Sequence, residues 1–268
     1  PVRGNKCVTT FRAEKGLSWS AYNLYRKYTP AYISFKSTKI YPYPETNSWS
    51  CFASFRIDTS TTFSGKPVYE NVGSVTLNDL NIPKEPRNGY MIMNPSPTEE
   101  KTLSGFYGDS VTFSLSGTDS SLYQSQSARL YVPKPLNVRF ENNAIIPGKG
   151  HTKMQRTAVS RKSKFTLKWD VDTKNTQGVI LSIQDEGKVD SLGYTEIIPS
   201  ESFGQNTLLL KDDGEYVFRP RDFKNIPDNY ELMFTISRRN IVLTKNGTRD
   251  LKLCGEEQIF IRGFVLVP

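Results

Sequence analysis

Residues 163–183 read SKFTLKWDVDTKNTQGVILSI, and this stretch decides the fold class. Phe165, Leu167 and Trp169 alternate with Lys164, Thr166 and Lys168. A two-residue period of this kind marks a strand with one face on a core and the other in water. The polar run 170–177 then reads as a turn, and 178–183 (GVILSI) as the strand that returns from it. Downstream, 207–210, 214–218 (GEYVF), 229–237 (NYELMFTIS), 240–244, 250–254 and 258–267 continue the series. Seven or more short strands at this spacing predict an immunoglobulin-like β-sandwich. Asp212-Asp213-Gly214 reads as a hairpin turn, and 220–225 (PRDFKN) as a short helical turn. The apolar run 257–267 predicts a paired or inner terminal strand rather than a free one.

Working upstream, 32–36 (YISFK), 50–58 (SCFASFRID), 73–80 (GSVTLNDL), 90–93 and 110–116 (SVTFSLS) are β-rich runs, with spacers such as Asn94-Pro95-Ser96-Pro97. Helix signals are scarce: 17–28 (LSWSAYNLYRKY) fits either one amphipathic helical stretch or an irregular aromatic strand, ended by Pro30. At Pro133-Lys134-Pro135 one strand has ended and another, 136–140, begins; paired prolines make a semi-rigid extended connector. The predicted fold class is therefore all-β, two β-sandwich domains, the C-terminal one immunoglobulin-like. The domains are placed at 1–133 and 134–268, a division that suits a 268-residue chain.

The net charge is +8, from 35 Lys and Arg against 27 Asp and Glu. Up to Pro133 there are 14 basic and 10 acidic residues, and after it 21 and 17, so each part carries +4. An even spread argues against a nucleic-acid module, which concentrates its charge. No window approaches the ~18 apolar residues of a membrane-spanning helix. The chain opens on Pro1 rather than Met, from which a processed protein with its targeting segment out of view is expected. Cys7, Cys51 and Cys254 have no metal-ligand spacing. A Cys7–Cys51 bridge is open in an oxidising compartment; buried, reduced thiols are the plainer expectation.

Trp169-Asp170, Asn175, Gly178-Val179-Ile180, 214–218 followed by the helical turn and Ile226-Pro227, and 230–239 (YELMFTISRR), with the Pro-Lys-Pro-Leu join before them, together form a pattern. It resembles two-domain β-sandwich surface or periplasmic lipoproteins of Bacteroidetes. The matching residues are packing and turn positions, so they bring no catalytic assignment. The resemblance implies export and lipid anchoring at the outer membrane, cell surface or periplasm, often beside glycan-uptake or adhesion machinery. Membrane association is then expected only through such an anchor.

No catalytic constellation stands out. The single His, His151, lies in a Gly-rich loop (Pro147-Gly148-Lys149-Gly150), with no GxSxG elbow and no P-loop pattern. Asp170, Asp172 and Asn175 share a turn but lack the rest of a calcium loop, so turn hydrogen bonding is expected of them. No cofactor, no metal and no nucleic acid are expected. Lys149, Lys153, Arg156, Arg161, Lys162, Lys164 and Lys168 form a run of seven bases without an acid. It reads first as a solvated loop that protects a strand edge and second as an anion site built on Lys149, Lys153, Arg156, Arg161 and Lys162.

The strongest binding signal is aromatic: Trp19, Tyr22, Tyr25, Tyr28 and Tyr32, then Tyr41, Tyr43 and Trp49. Pro42 and Pro44 hold the Tyr41–Tyr43 segment extended and disfavour it within a sheet. These rings either cap the end of a sandwich core or form a face for sugar rings or a surface protein. The predicted ligand-binding set is Trp19, Tyr22, Tyr25, Tyr41, Tyr43 and Trp49. The expected function is non-catalytic binding of a glycan or other surface ligand by the N-terminal domain; the alternative is a structural or adhesive subunit whose sandwiches serve as spacers.

Overall fold

The computed structural model describes residues 9–20, 22–23, 29–41, 43–57, 69–86, 89–141, 144–146, 156–190, 195–196 and 205–268. The chain is all-β, and the alternation read from the sequence is visible in its strands. Val111, Phe113 and Leu115 are buried with half-exposed residues between them; Phe165, Leu167 and Trp169 are buried too, but Thr166, expected to face water, is buried among them.

The first part of the chain supplies β1 (Thr9–Ala13), β2 (Ala31–Tyr41), β3 (Tyr43–Phe55), β4 (Val75–Leu77), β5 (Leu80–Ile82), β6 (Lys84–Glu85) and β7 (Gly89–Met93). Helix α1 (Pro97–Ser104), β8 (Ser110–Leu115) and β9 (Gln126–Tyr131) follow. After the proline join come β10 (Val138–Glu141), β11 (Ala144–Ile146), β12 (Arg156–Ser160), β13 (Thr166–Trp169), β14 (Val179–Val189), β15 (Thr195–Glu196) and β16 (Gln205–Leu210). The chain ends with β17 (Glu215–Val217), a 3-10 turn at Pro220–Phe223, β18 (Tyr230–Asn246) and β19 (Arg249–Val267).

One large mixed sheet runs β1-β16-β14-β18-β19-β2-β3-β7-β6. Two smaller sheets, β5-β4-β8-β9 and β10-β13-β17, complete the layers. Hydrophobic residues gather in two clusters. One contains Ile33, Phe35, Phe55, Val75, Phe113 and Val132; the other contains Phe165, Leu181, Leu208, Phe218, Phe234 and Phe264. The β18–β19 hairpin serves both, because Leu251 and Leu253 enter the first and Ile259, Ile261 and Leu266 the second. On its second side β19 pairs in parallel with β2 over Leu251–Ile261 and then with β12 from Phe264. Gly263 stands at the changeover with φ +83°, a conformation that a Cβ disfavours.

Several expectations are corrected here. The runs 229–237 and 240–244 are one 17-residue strand, and 250–254 and 258–267 belong to one 19-residue strand. The polar residues that interrupt them in sequence, Arg238, Arg239, Glu256 and Glu257, are buried where the hairpin passes from one cluster to the other. The run 73–80 is a hairpin turning at Asn78, which takes a positive φ of 48°. Residues 170–177 and 212–214 are not hairpin turns, since each carries the chain between the three-stranded and the large sheet. Ile40 pairs with Tyr43 at the tip of the β2–β3 hairpin, so Tyr41 and Tyr43 lie within strands. The ladder tolerates this because its register shifts before resuming at Thr38↔Ser48, and that interval absorbs Pro44.

The 3-10 turn forms where expected. In 17–28, Ser20, Tyr22 and Asn23 are helical and 24–28 lie outside the described residues. Helix α1 was not anticipated. Ser96 and Glu99 form a capping box, with the Glu99 carboxylate accepting from the Ser96 N–H at 2.8 Å, and Pro97 opens the first turn.

Candidate functional site

The aromatic set is divided rather than gathered. Trp19 and Tyr22 meet each other at 5.0 Å between ring centres and meet Phe11 of β1 at 5.6 and 5.8 Å. Phe11 itself is 43% exposed. Trp49 instead joins the first hydrophobic cluster, stacked on Phe35 at 6.1 Å and edge-on to Tyr107 at 5.4 Å. Its indole N–H donates to Glu100 Oε1 at 3.0 Å. Tyr41 packs against the second cluster. The side chain of Tyr43, and Tyr25 and Tyr28 as a whole, lie outside the described residues.

Three members of the basic run are engaged within the fold. Arg156 donates to Thr195 Oγ1 at 2.9 Å and lies 3.6 Å from Glu231. Arg161 pairs with Asp228 at 2.6 Å and donates to the carbonyls of Phe223 and Ile226, closing the loop after the 3-10 turn. Lys168 pairs with Glu141 at 2.8 Å. Lys162 is exposed; Lys149, His151 and Lys153 lie outside the described residues. The two arginines thus fasten strands and loops.

Asp172 is buried and accepts from the Tyr131 hydroxyl at 2.9 Å and the Lys134 N–H at 2.8 Å. Asn175 donates to Gly178 O at 2.9 Å and Asp212 Oδ2 at 2.8 Å. These residues pin the proline join to the turn, as the hydrogen-bonding reading expects. Burial, and then Asp172, push the Tyr131 phenol above its ordinary range. Among the described residues no group of three or more His, Cys, Asp or Glu is placed to hold a metal ion. No helix among them is long and apolar enough to cross a membrane.

A groove that no local pattern marks lies where β1 meets the C-terminal half. β1 pairs in parallel with β16, from Thr9↔Gln205 to Ala13↔Leu209. Its alternation sends Phe11 outward and Thr10 and Arg12 inward, where Thr10 donates to Asn206 and Arg12 pairs with Asp222. Asp222 is fully buried and also accepts from Tyr216 OH at 2.8 Å and the Arg219 N–H at 2.7 Å. Asn206 ties the same turn through the carbonyls of Asp222 and Lys224, both at 2.9 Å. Burial first and Asp222 second push the Tyr216 phenol well up, so it remains a donor at physiological pH.

The open groove beside this anchor has a volume of about 670 Å³ and is lined by Arg12, Glu14, Lys15, Lys211, Arg219 and Arg221, with Asp213 and Tyr216. That volume is typical of a ligand site. Glu14 accepts from the Lys211 N–H at 2.7 Å. Lys15, Lys211, Arg219 and Arg221 are exposed, and no salt bridge engages them among the described residues. Sequence reasoning missed this site because its halves are about 200 positions apart.

A second cavity of about 310 Å³ is lined by Tyr32, Ser34, Lys36, Lys252, Cys254 and Glu256. Burial, reinforced by Glu256, pushes the Cys254 thiol up to about 12, which leaves it protonated and non-nucleophilic. Cys51 and Cys254 are buried free thiols, and Cys7 lies outside the described residues. Comparison with protein families, with curated proteins and with solved structures finds no match to this chain.

Proposed function

We propose that this protein is a non-catalytic, exported binding protein of the cell envelope that holds a glycan along β1 and the groove beneath it. The observation that carries the reading is that β1 bears an exposed ring, Phe11 backed by Trp19 and Tyr22, and through Arg12 and Ala13 also lines an open groove rich in charged side chains. Flat rings suit the C–H faces of sugars, and charged or hydroxyl-bearing side chains suit their substituents. The proposal keeps the ligand on the N-terminal segment but moves it from the N-terminal sandwich to the edge of the C-terminal one.

We propose further that the C-terminal half is an immunoglobulin-like sandwich. Three strands, β10-β13-β17, face β16-β14-β18-β19, with β12 parallel to β19, and this order supports the assignment. A lipid-anchored location at the surface or in the periplasm is part of the same proposal and rests on the family resemblance.

Affinity electrophoresis through gels containing a panel of polysaccharides tests the binding. Retardation of the wild type by at least one polymer, reduced by Phe11→Ala and by Trp19→Ala and unaffected by Tyr41→Ala, is the expected result. Absence of retardation by every polymer would remove the glycan reading.

A second reading is favoured by one observation: β1 is an edge strand of the large sheet. A structural or adhesive subunit would use such an edge to add a strand from a neighbour. Concentration-dependent oligomers, abolished by deletion of residues 9–13, would support it.

A further inference from the structure

We infer that the groove between β1 and β17 takes the acid groups of a polyanionic glycan, either uronate carboxylates or sulfate esters. This rests on the glycan-binding reading above and names the class of glycan.

Groups already engaged within the fold separate sharply from those left over. Arg12 is neutralised by Asp222, whose other oxygen is occupied by Tyr216 and the Arg219 N–H. Glu14, one of two carboxylates lining the groove, is occupied by the Lys211 N–H. What remains facing the cavity is Lys15, Lys211, Arg219 and Arg221, all exposed, against Asp213 and the Glu14 carboxylate, which keeps its charge while it accepts the amide. Four cations around one concavity repel one another and focus a positive potential into it, which is relieved by a ligand bringing negative charge. Arg219 and Arg221 add planar forks that bind carboxylate or sulfate oxygens two at a time.

The neighbouring rings decide between polyanions. A single-stranded nucleic acid would need several free ring faces for successive bases. Here Trp19 stands nearly perpendicular to both Phe11 (88°) and Tyr22 (76°), so the rings occupy one another and Phe11 alone is substantially exposed. Among the described residues of this segment, one substantially exposed ring on the strand that lines a cationic groove matches a chain of sugars with acid substituents better than a chain of stacked bases.

The test compares wild type, Lys211→Glu/Arg221→Glu, and the charge-matched control Lys84→Glu/Lys101→Glu, whose residues are exposed and outside the groove. Affinities are measured at physiological salt for polygalacturonate, chondroitin sulfate, neutral xylan and dextran, and single-stranded DNA. Binding of at least one acidic polysaccharide is expected, weakened about tenfold or more by the groove variant and about twofold or less by the control. The arm that binds distinguishes carboxylate from sulfate. Lys211→Gln/Arg219→Gln, with an unchanged melting temperature, guards against a folding defect in the charge-reversed protein. Equal weakening by groove and control variants, or DNA bound as tightly as any acidic glycan, overturns the inference. Binding of xylan or dextran alone overturns it while leaving the glycan reading intact, and binding of none of the polysaccharides removes both.

Discussion

Replacement of Arg238 by methionine probes the contact that joins the two hydrophobic clusters. The side chain is fully buried on β18. Nη1 donates to the carbonyls of Lys134 (2.9 Å) and Pro135 (3.3 Å), and Nη2 to Asp170 O and to Asp212 Oδ1 (2.6 Å). Asp212 is itself fixed by the Trp169 indole at 2.9 Å and by Asn175 at 2.8 Å. Methionine keeps most of the volume but leaves Asp212 a buried charge without its counter-ion and strands three carbonyls. Breaking a buried pair from one side costs roughly 3–5 kcal/mol, and the orphaned carbonyls place the expected loss in the upper part of that range. Nε has no hydrogen-bond partner among the described residues, so its removal trims the cost.

A net loss of about 4–5 kcal/mol is expected, a large share of the roughly 5–15 kcal/mol of a typical domain. With an m-value of about 3 kcal/mol/M, the urea midpoint falls by about 1.5 M. Tryptophan fluorescence reads both clusters, since Trp49 packs on one and Trp169 belongs to the other. Because β19, paired with β18 along its length, enters both clusters, the two signals should shift together. Arg238→Met/Asp212→Asn, which removes the stranded charge, should recover about 1–2 kcal/mol of the loss. A single-variant cost under about 1 kcal/mol, or a double variant as costly as the sum of the singles, would refute the reasoning.

Asp185 is buried, its Oδ2 lacks a hydrogen-bond partner among the described residues, and burial pushes its carboxyl up to about 7. The folded protein therefore holds this proton more tightly than the unfolded chain, whose carboxyl titrates near ~4. Its contribution is full below about pH 4 and is lost as pH rises through about 7. Asp185→Asn should flatten the stability profile over that window and stabilise the protein at pH 8 by about 1–3 kcal/mol; an unchanged slope in urea titrations would count against it. Asp222→Ala should release β1, costing about 3 kcal/mol and exposing the amides of residues 9–13 to faster hydrogen exchange, which unaltered protection would contradict. In a Cys7→Ser background, Cys51 and Cys254 should resist a thiol reagent until urea unfolds the protein, because burial raises both thiols and blocks access. Rapid labelling of the native protein would disprove this.

The capping box before α1 shows what sequence reading can overlook. Ser96 and Glu99 stand at the required spacing, but an eight-residue helix with only Leu103 buried has almost no apolar period to draw attention. The β18–β19 hairpin shows the opposite difficulty. Its signal was broken by Arg238 and Arg239, two charged residues between apolar runs that are buried only because Asp212, Glu256 and the carbonyls of the proline join surround them.

By itself the sequence determined a strand whose burial alternates residue by residue, 110–115, the 3-10 turn after Arg219, and the all-β class. These follow from short-range rules: pleat period, turn chemistry and the fixed φ of proline. Tertiary structure alone decided the parallel pairings of β1 with β16 and of β2 with β19, the division of the aromatic residues, and the groove. Each depends on side chains brought together across up to about 200 positions. No local period encodes such proximity; it follows from where buried surface and buried charge can both be satisfied.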